Sequence, residues 1–440
     1  MKKLFGTDGI RGTVNEYPMV PDIALKLGIS LGQISPKPKI VIGKDTRLSG
    51  YIFEYSLSSG ICAAGGEVLF VGVLPTPAIA YLTKKYNANA GIVISASHNP
   101  ATDNGLKIFS SKGFKLPDEI ELKIEHKMFS ELNLSKDTGK AIKLKNAKRE
   151  YIDFAKNTVN NIDLKELKIV LDCANGAGYY VAPTILKELG AEVITLNNSP
   201  NGNNINENSG ALYPENIIKI IKENKANIGI CLDGDADRII ALDEKGEIID
   251  GDKIMYICAK YLAQKNKLKN KTLITTVMSN EGLIQSLKKE KIDVKRTSVG
   301  DRYVIEKIKE LDCNFGGEQS GHIIFTDYTT TGDGIISGLL LLKIMKETSM
   351  KISELIEGLE IFPQKLINIK VKEKKDLMEM PKVLKKIENA EKEFKEKGRV
   401  LVRYSGTENK ARVMVEGKNL KLVNKYVNEI ANEIKKEIGI

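Results

Sequence analysis

The sequence predicts an α/β protein whose chain ends in a smaller α+β unit. Three observations predict it. Short β-branched runs alternate with amphipathic segments through most of the chain, which is the signature of parallel strands under helices. Polar, Gly-containing loops follow several of those runs. The last block changes pattern, to two strands around a loop and then one long helix. The 440 residues are 42% hydrophobic and 28% charged, a globular balance, with chain enough for about three domains at ~150 residues each.

Lys39–Asp45, Glu67–Leu74, Gly91–Ser95, Leu167–Asp172, Glu192–Leu196, Asn227–Leu232 and Thr272–Val277 are short apolar runs, rich in Ile and Val, and read as buried strands. Pro214–Asn224 and Glu281–Glu290 are amphipathic and read as helices. Asp333 precedes the apolar run IISGLLLLKIM and is a helix N-cap. Near the end, Val400–Arg403 and Ala411–Gly417 read as strands. Val423, Val427, Ile430, Ile434 and Ile438 then fall on one face of a helix. Charged seams near residues 135–148, at Gly251 and near 363–374 divide the chain into domains at 1–147, 148–250, 251–364 and 365–440. A faint threefold theme, strand then polar loop, runs through the first three.

Composition excludes several classes. Lys+Arg 67 against Asp+Glu 57 leaves +10, a mild bias that suits an anionic small substrate. With 6% aromatics, no Trp and no recognisable motif, nucleic acid is not an expected partner. Cys62, Cys173, Cys231, Cys258 and Cys313 form no CxxC pair, so they read as buried thiols in a reducing compartment rather than zinc ligands. The two N-terminal lysines have no apolar run behind them, and the apolar stretch from Val68 is broken by Pro75 and Pro77. No membrane is expected, and the location is cytoplasmic.

Four polar loops carry candidate chemistry. In Ser95–Lys107, SASHNPATDNGLK, Ser97 beside His98 suggests a hydrolase pair. Adjacent side chains in an extended loop point apart, however, so a phosphorylated Ser97 is the better functional reading and an ordinary turn the plain one. In LDGDADR, Asp233, Asp235 and Asp237 alternate. An extended segment puts all three carboxylates on one side, where only a hard cation such as Mg²⁺ or Ca²⁺ relieves their repulsion. An EF-hand is the rival, with Glu244 at its twelfth position, but Arg238 stands where it needs Gly. In GGEQSGH, Glu318 and Ser320 suit vicinal sugar hydroxyls, and His322 is catalytic or structural. In RYSGTENKAR, Arg403, Ser405, Gly406, Thr407 and Arg412 offer a phosphate cradle, or a turn with surface arginines.

Together the loops resemble the α-D-phosphohexomutase family. FGTDGIRG opens at Phe5, GKDTRLSG at Gly43, LPTPA at Leu74, SASHNP at Ser95 and DCANGAG at Asp172. DGDADR follows at Asp233, VGDRYV at Val299, GGEQSGH at Gly316 and RYSGTE at Arg403. Nine motifs in the family's order span essentially the whole chain. The resemblance implies three similar α/β mixed-sheet domains plus a smaller C-terminal α+β domain around a central cleft. FGTDGIRG, VGDRYV and Gln319 resemble the branch that interconverts glucosamine 6-phosphate and glucosamine 1-phosphate through a bisphosphate sugar. Mannose or glucose phosphates are the alternative within the family, and a catalytically silent sugar-phosphate sensor is the alternative outside it. The resemblance gives Ser97 the phosphoryl group and makes Asp233, Asp235 and Asp237, with the phosphate on Ser97, the site of one Mg²⁺ per chain. It places Glu318 and Ser320 on the sugar hydroxyls and Arg403, Ser405, Gly406 and Thr407 on the phosphate that is not reacting. Arg11, Lys107, Arg238 and His322 surround the reacting group, with His322 or Lys107 as base. A homodimer is what the family suggests. Asn409 stands where the family usually has Pro, and Tyr404 follows the first Arg where Lys or a small residue is common; both imply altered loop stiffness.

Overall fold

The computed structural model describes residues 4–6, 8–130, 134–405 and 409–440. The chain forms two compact units, Met1–Val277 with Lys295–Glu357, and Met278–Val294 with Gly358–Ile440. Among the described residues it builds four sheets.

The first sheet contains β1 (Ile10–Thr13), β2 (Lys39–Lys44), β3 (Glu67–Val73), β4 (Ala90–Ile94), β5 (Asp103–Ser110) and β6 (Ala141–Lys143), in the order β1-β5-β4-β2-β3-β6. The second contains β7 (Lys168–Asp172), β8 (Glu192–Leu196), β9 (Ile228–Leu232), β10 (Ile239–Leu242) and β11 (Ile248–Ile249), in the order β11-β10-β9-β7-β8. The third contains β12 (Thr272–Thr276), β13 (Asp293–Thr297), β14 (Phe315–Gly317) and β15 (Ile323–Phe325), in the order β13-β12-β14-β15.

One arrangement recurs in all three: β5-β4-β2-β3, β10-β9-β7-β8 and β15-β14-β12-β13. In each, the two inner strands are parallel and the outer pair, β4–β5, β9–β10 or β14–β15, is antiparallel. This is the physical content of the threefold theme. Each antiparallel pair is joined by a short polar loop, and those loops carry SASHNP, DGDADR and EQSGH in turn. The central strands are buried on both faces, as their near-continuous apolar runs require: Ile40, Ile42, Ile92, Ile94, Ile169, Ile228 and Ile274 are each fully buried.

The second unit closes on β16 (Gln364–Lys370), β17 (Gly398–Tyr404) and β18 (Lys410–Gly417), an antiparallel sheet in the order β16-β18-β17. Helix Leu420–Ile438 buries Val423, Val427, Ile430, Ile434 and Ile438 against it, as the periodicity requires. Helix Glu281–Lys289 belongs to the same unit. The side chain of Asn280 accepts from the Phe362 N–H and donates to its carbonyl, both at 2.9 Å, and the Arg399 guanidinium donates to the Ser279 carbonyl at 2.7 Å.

Two seams turn out to contain strands. The 135–148 segment supplies β6, a short edge strand beside β3, and the 363–374 segment supplies β16. Both are Lys-containing edge strands with one neighbour, and so lack the continuous apolar run that marks a central strand. Pro214–Asn224 begins as a 3₁₀ turn and becomes α-helical only from Ile218.

Asp333 caps helix Gly334–Thr348, accepting from the N–H groups of Ile335 at 3.0 Å and Ile336 at 2.9 Å, and from the Tyr151 hydroxyl at 2.8 Å. All these groups are buried. Asp333→Ala is therefore expected to lower the unfolding free energy by about 2 kcal/mol, for a lost cap and a stranded hydroxyl. Urea denaturation checks this, and an unchanged midpoint refutes it. Among the described residues no helix is long and apolar enough to cross a membrane.

Candidate active site

The β4–β5 loop presents Ser97, the β9–β10 loop Asp233, Asp235 and Asp237, and the β14–β15 loop Glu318 and His322. Ser97 is buried, and its Oγ donates to Asp233 Oδ2 at 2.7 Å. The loop is not extended, contrary to expectation. Ser97 sits in the left-handed region at φ 54°, and this turn brings His98 Nδ1 to 3.4 Å from Oγ. His98 is nevertheless no activated partner. The hydroxyl proton goes to Asp233, and burial, then Arg238 and Arg11, lowers the His98 pKa to about 4. A non-glycine residue held at positive φ in a buried loop needs fixing from outside. Arg47 does this, donating to the carbonyls of Ser97 at 3.0 Å and Asn99 at 2.8 Å and also to that of Pro100. Asn206 adds bonds to the same Ser97 and Asn99 carbonyls, both at 2.9 Å. Arg47 is itself oriented by Asp45 at 2.9 Å, and Asp45 by the Ser95 hydroxyl at 2.6 Å.

The three aspartates converge through a turn with Ala236 at φ 55° rather than along an extended strand. One oxygen from each lies within 4.8 Å of the others, and all three side chains are buried. Burial, then Asp237 and Asp235, pushes the Asp233 carboxyl up to about 8. Asp237 goes the other way: burial opposes its charge, but Lys107 and His322 hold it well below the usual carboxylate range. Asp235 Oδ1 and Asp237 Oδ1 are buried and make no hydrogen bond. Clustered carboxylates with two orphaned oxygens are the donor set of a hard divalent cation, and this group could hold one. Glu244 takes no part; its carboxylate accepts from the Ser353 hydroxyl at 2.5 Å.

Cations surround the cluster. Lys107 on β5 is buried, with Nζ at 2.7 Å from Asp235, 3.4 Å from Asp8 and 3.5 Å from Asp237. Burial works against its charge, but Asp235, Asp8 and Asp237 outweigh it and raise its pKa. Arg11 on β1 lies opposite Gly105 in the register, donates to the Ala96 carbonyl at 3.3 Å and pairs with Asp8. The Arg238 N–H donates to Asp233 Oδ1 at 3.1 Å, and its Nε lies 3.8 Å from Asp237. The Nε atoms of Arg11 and Arg238 are buried with no hydrogen bond in the structure.

His322 is buried between Asp237, 3.5 Å from Nδ1, and Asp301, 3.3 Å from Nε2. The Gly332 N–H donates to Nε2 at 3.0 Å, which requires a lone pair there. Burial opposes a second proton, but Asp237 and Asp301 favour it and raise the pKa to about 10. An imidazole between two carboxylates is strongly basic, so the pair favours its protonated form. Gly332 must be glycine for this contact, since a Cβ would lie 2.6 Å from the ring.

Glu318 and Ser320 lie in a turn, not an extended loop, closed by the Gly321 N–H on the Glu318 carbonyl at 3.0 Å. Gly321 has φ 89°, and a Cβ there would meet the Ile239 carbonyl at 2.0 Å. The Glu318 carboxylate is buried and accepts from the Gly300 N–H at 3.1 Å, whereas Ser320 is exposed.

In the second unit, Arg403 on β17 faces Arg412 on β18 directly in the register. Burial, then Arg412, lowers the Arg403 pKa. Two adjacent guanidinium groups repel, and an anion between them relieves it. Ser405 is buried, its N–H on the Lys410 carbonyl at 2.9 Å. Gly406 and Thr407 lie outside the described residues.

The sequence alone gave no role to Arg47, Asp45, Asp8 or Asp301. Each stands inside a motif that carried the resemblance, GKDTRLSG, FGTDGIRG or VGDRYV. A charged side chain within such a Gly-containing motif was the available signal. Asn206 gave none, standing in the Asn-rich run NNSPNGNNINEN.

Four phosphoglucomutase/phosphomannomutase family models match the chain. They are alpha/beta/alpha domain I at residues 2–135, domain II at 149–246, domain III at 250–362 and the C-terminal domain at 366–433. The phosphoglucosamine mutase of Pelobacter propionicus is 51% identical over 100% of this chain and 99% of its own. That of Geobacter metallireducens is 50% identical over 100% of both. Among solved structures, a phosphoglucomutase/phosphomannomutase family protein from Burkholderia thailandensis superposes with a TM-score of 0.82 at 24% identity, covering 100% of both chains. Aspergillus fumigatus N-acetylphosphoglucosamine mutase, solved with GlcNAc-6P and magnesium, gives 0.70 at 18% identity, over 98% of this chain and 95% of that one. The matched domains account for nearly the whole length and the full-length relatives are half identical, so the chain belongs to the phosphoglucomutase/phosphomannomutase family.

Proposed function

We propose that this chain interconverts glucosamine 6-phosphate and glucosamine 1-phosphate, by way of a phosphorylated Ser97 and a bisphosphate sugar. The carrying observation is the buried Ser97 hydroxyl 2.7 Å from Asp233, inside a carboxylate cluster with two orphaned oxygens. A hydroxyl so placed has no base of the hydrolase kind, and a phosphoryl group on it would lie beside a cation site and among Arg11, Lys107 and Arg238. The half-identical relatives named phosphoglucosamine mutase support the choice of sugar.

Asp233, Asp235 and Asp237, with a phosphate oxygen on Ser97, would hold one Mg²⁺ per chain. When bound, the ion supplies charge neutralisation at the transferring phosphate and its serine oxygen. The protein's own groups do the rest. Lys107 and Arg11 neutralise the equatorial phosphoryl oxygens. His322 or Lys107 takes the proton from the attacking sugar hydroxyl; carboxylates favour the protonated form of both, Asp235, Asp8 and Asp237 at Lys107 and Asp237 and Asp301 at His322. Glu318 and Ser320 bind sugar hydroxyls, and Arg403, Ser405, Gly406, Thr407 and Arg412 bind a substrate phosphate. The buried thiols Cys173, Cys231 and Cys258, whose pKa values burial raises, suit a reducing compartment, and a cytoplasmic location is part of the proposal.

Turnover measured by ³¹P NMR, with Mg²⁺ and a trace of bisphosphate sugar, tests the reading. Glucosamine 6-phosphate should be preferred over mannose and glucose 1-phosphates by about tenfold or more, which is roughly 1.4 kcal/mol in the transition state. Equal or reversed rates would make it a hexose mutase. Glu318→Gln keeps an acceptor but loses the charge, and is expected to lower kcat/KM for the sugar by about tenfold to a hundredfold. An unchanged kcat/KM removes Glu318 from the sugar site.

A further inference from the structure

Outside the carboxylate cluster, a cavity of ≈ 390 Å³ opens where helix Thr76–Lys85, helix Ala147–Thr158 and the loop after β15 meet. Its volume falls in the range of small-molecule sites. Tyr81 and Phe154 form one wall as a stacked pair, with ring centroids 4.0 Å apart and planes 12° from parallel. Tyr328, 37% exposed, contributes a third ring. Two lysines stand at the rim. Lys85 pairs with Glu150 at 3.0 Å, while Lys84 is exposed and makes no ion pair among the described residues. Thr329 and Thr330 complete the lining. Each hydroxyl already donates to a carbonyl, that of Thr331 at 2.8 Å and of Gly113 at 2.5 Å, so each presents lone pairs to an incoming donor.

This combination selects a ligand class. Aromatic walls favour a planar ring by stacking. An unneutralised ammonium at the rim favours an anionic group. Hydroxyl lone pairs favour a donor between the two. A sugar phosphate lacks the ring, and a nucleoside lacks the charge.

The cavity walls also end on the catalytic cluster. Thr76, which starts the first helix, donates its N–H to the Asp235 carbonyl at 2.9 Å and its hydroxyl to the Asp235 carboxylate at 2.6 Å. The loop after β15 runs from Tyr328 to Gly332, whose N–H holds His322. The second helix carries Tyr151, bonded to Asp333 directly after Gly332.

We propose that this cavity binds a nucleotide-class ligand, its base against the Tyr81, Phe154 and Tyr328 rings and its phosphate at Lys84, and that occupancy alters turnover at the Asp235 and His322 cluster. The effector role rests on the mutase function proposed for the cluster; the binding does not.

Calorimetric titration of the full chain tests it, with UMP, AMP, uridine and ribose 5-phosphate as probes and glucosamine 6-phosphate present in excess. UMP or AMP should bind once per chain, at least about tenfold more tightly than uridine or ribose 5-phosphate. Lys84→Glu and Tyr328→Ala should each weaken that binding about tenfold and leave turnover without nucleotide unchanged. Saturating nucleotide should change wild-type turnover about fivefold. Equal binding of all four probes, binding that persists in both variants, or binding displaced by the sugar phosphate would overturn the site. Binding with unchanged turnover would overturn the effector role. Absence of mutase turnover altogether would strike the proposed function and leave the calorimetric test of the site intact.

Discussion

Ser97→Ala is expected to lower mutase turnover at least about a thousandfold, because it removes the atom proposed to receive and return the phosphoryl group. The loop itself should survive. Its left-handed backbone is held through main-chain carbonyls, by Arg47 at 3.0 and 2.8 Å and Asn206 at 2.9 Å, and none of these bonds involves the hydroxyl. The variant forfeits one hydrogen bond to Asp233, a stability change of about 1 kcal/mol. Activity and folding should therefore separate cleanly: turnover by ³¹P NMR collapses while the urea midpoint moves little. Mass spectrometry after incubation with the bisphosphate sugar should find a phosphoryl adduct on Ser97 of the wild type and no adduct in the variant. Turnover within tenfold of wild type would sink the phosphoserine mechanism.

Chelation of divalent metal is expected to have a comparable effect. Without a cation, three buried carboxylates crowd within 4.8 Å, and one of them, Asp233, has its pKa pushed up to about 8 by burial and its two neighbours. A cation supplies charge stabilisation worth several kcal/mol at a transferring phosphoryl group, so its removal by EDTA should cost at least about a hundredfold in turnover. Mg²⁺ added in excess of the chelator should restore it. Asp237→Asn keeps the shape of the side chain but removes a charge from the proposed cation site, and should raise the Mg²⁺ concentration needed for half-maximal turnover about tenfold or more. Full activity after exhaustive chelation would show that the cluster serves structure alone.

The central strands were legible because a strand buried on both faces must be apolar throughout, and Ile40–Ile42, Ile92–Ile94 and Ile228–Leu232 are. β6 and β16 were not, because edge strands tolerate lysines and one-sided pairing. The site residues were legible as residue types and opaque as conformations. Alternating aspartates did predict a carboxylate cluster, but an extended segment was the wrong means: the cluster is made by a turn at Ala236. The same holds for His98, which the sequence placed away from Ser97 and which a left-handed residue brings to 3.4 Å. Local φ values of this kind are imposed by distant partners. Arg47 and Asn206 lie 50 and 109 positions from Ser97 in the chain, and no local pattern encodes such a clamp.

The β4–β5, β9–β10 and β14–β15 loops occupy the same position in three like sheets. The arrangement is a division of labour among copies. One strand arrangement, used three times, carries a hydroxyl, a carboxylate cluster and, in the proposed function, the sugar contact. The three loops are nonetheless interlocked: Asn206 holds the Ser97 loop, His322 faces Asp237, and Gly321 lies against Ile239 of β10, so a change in one loop is felt by its neighbours. Within the β14–β15 loop the exposed Ser320 is the position least tied to the neighbouring sheet, and a change of specificity there would disturb the interlocked chemistry least.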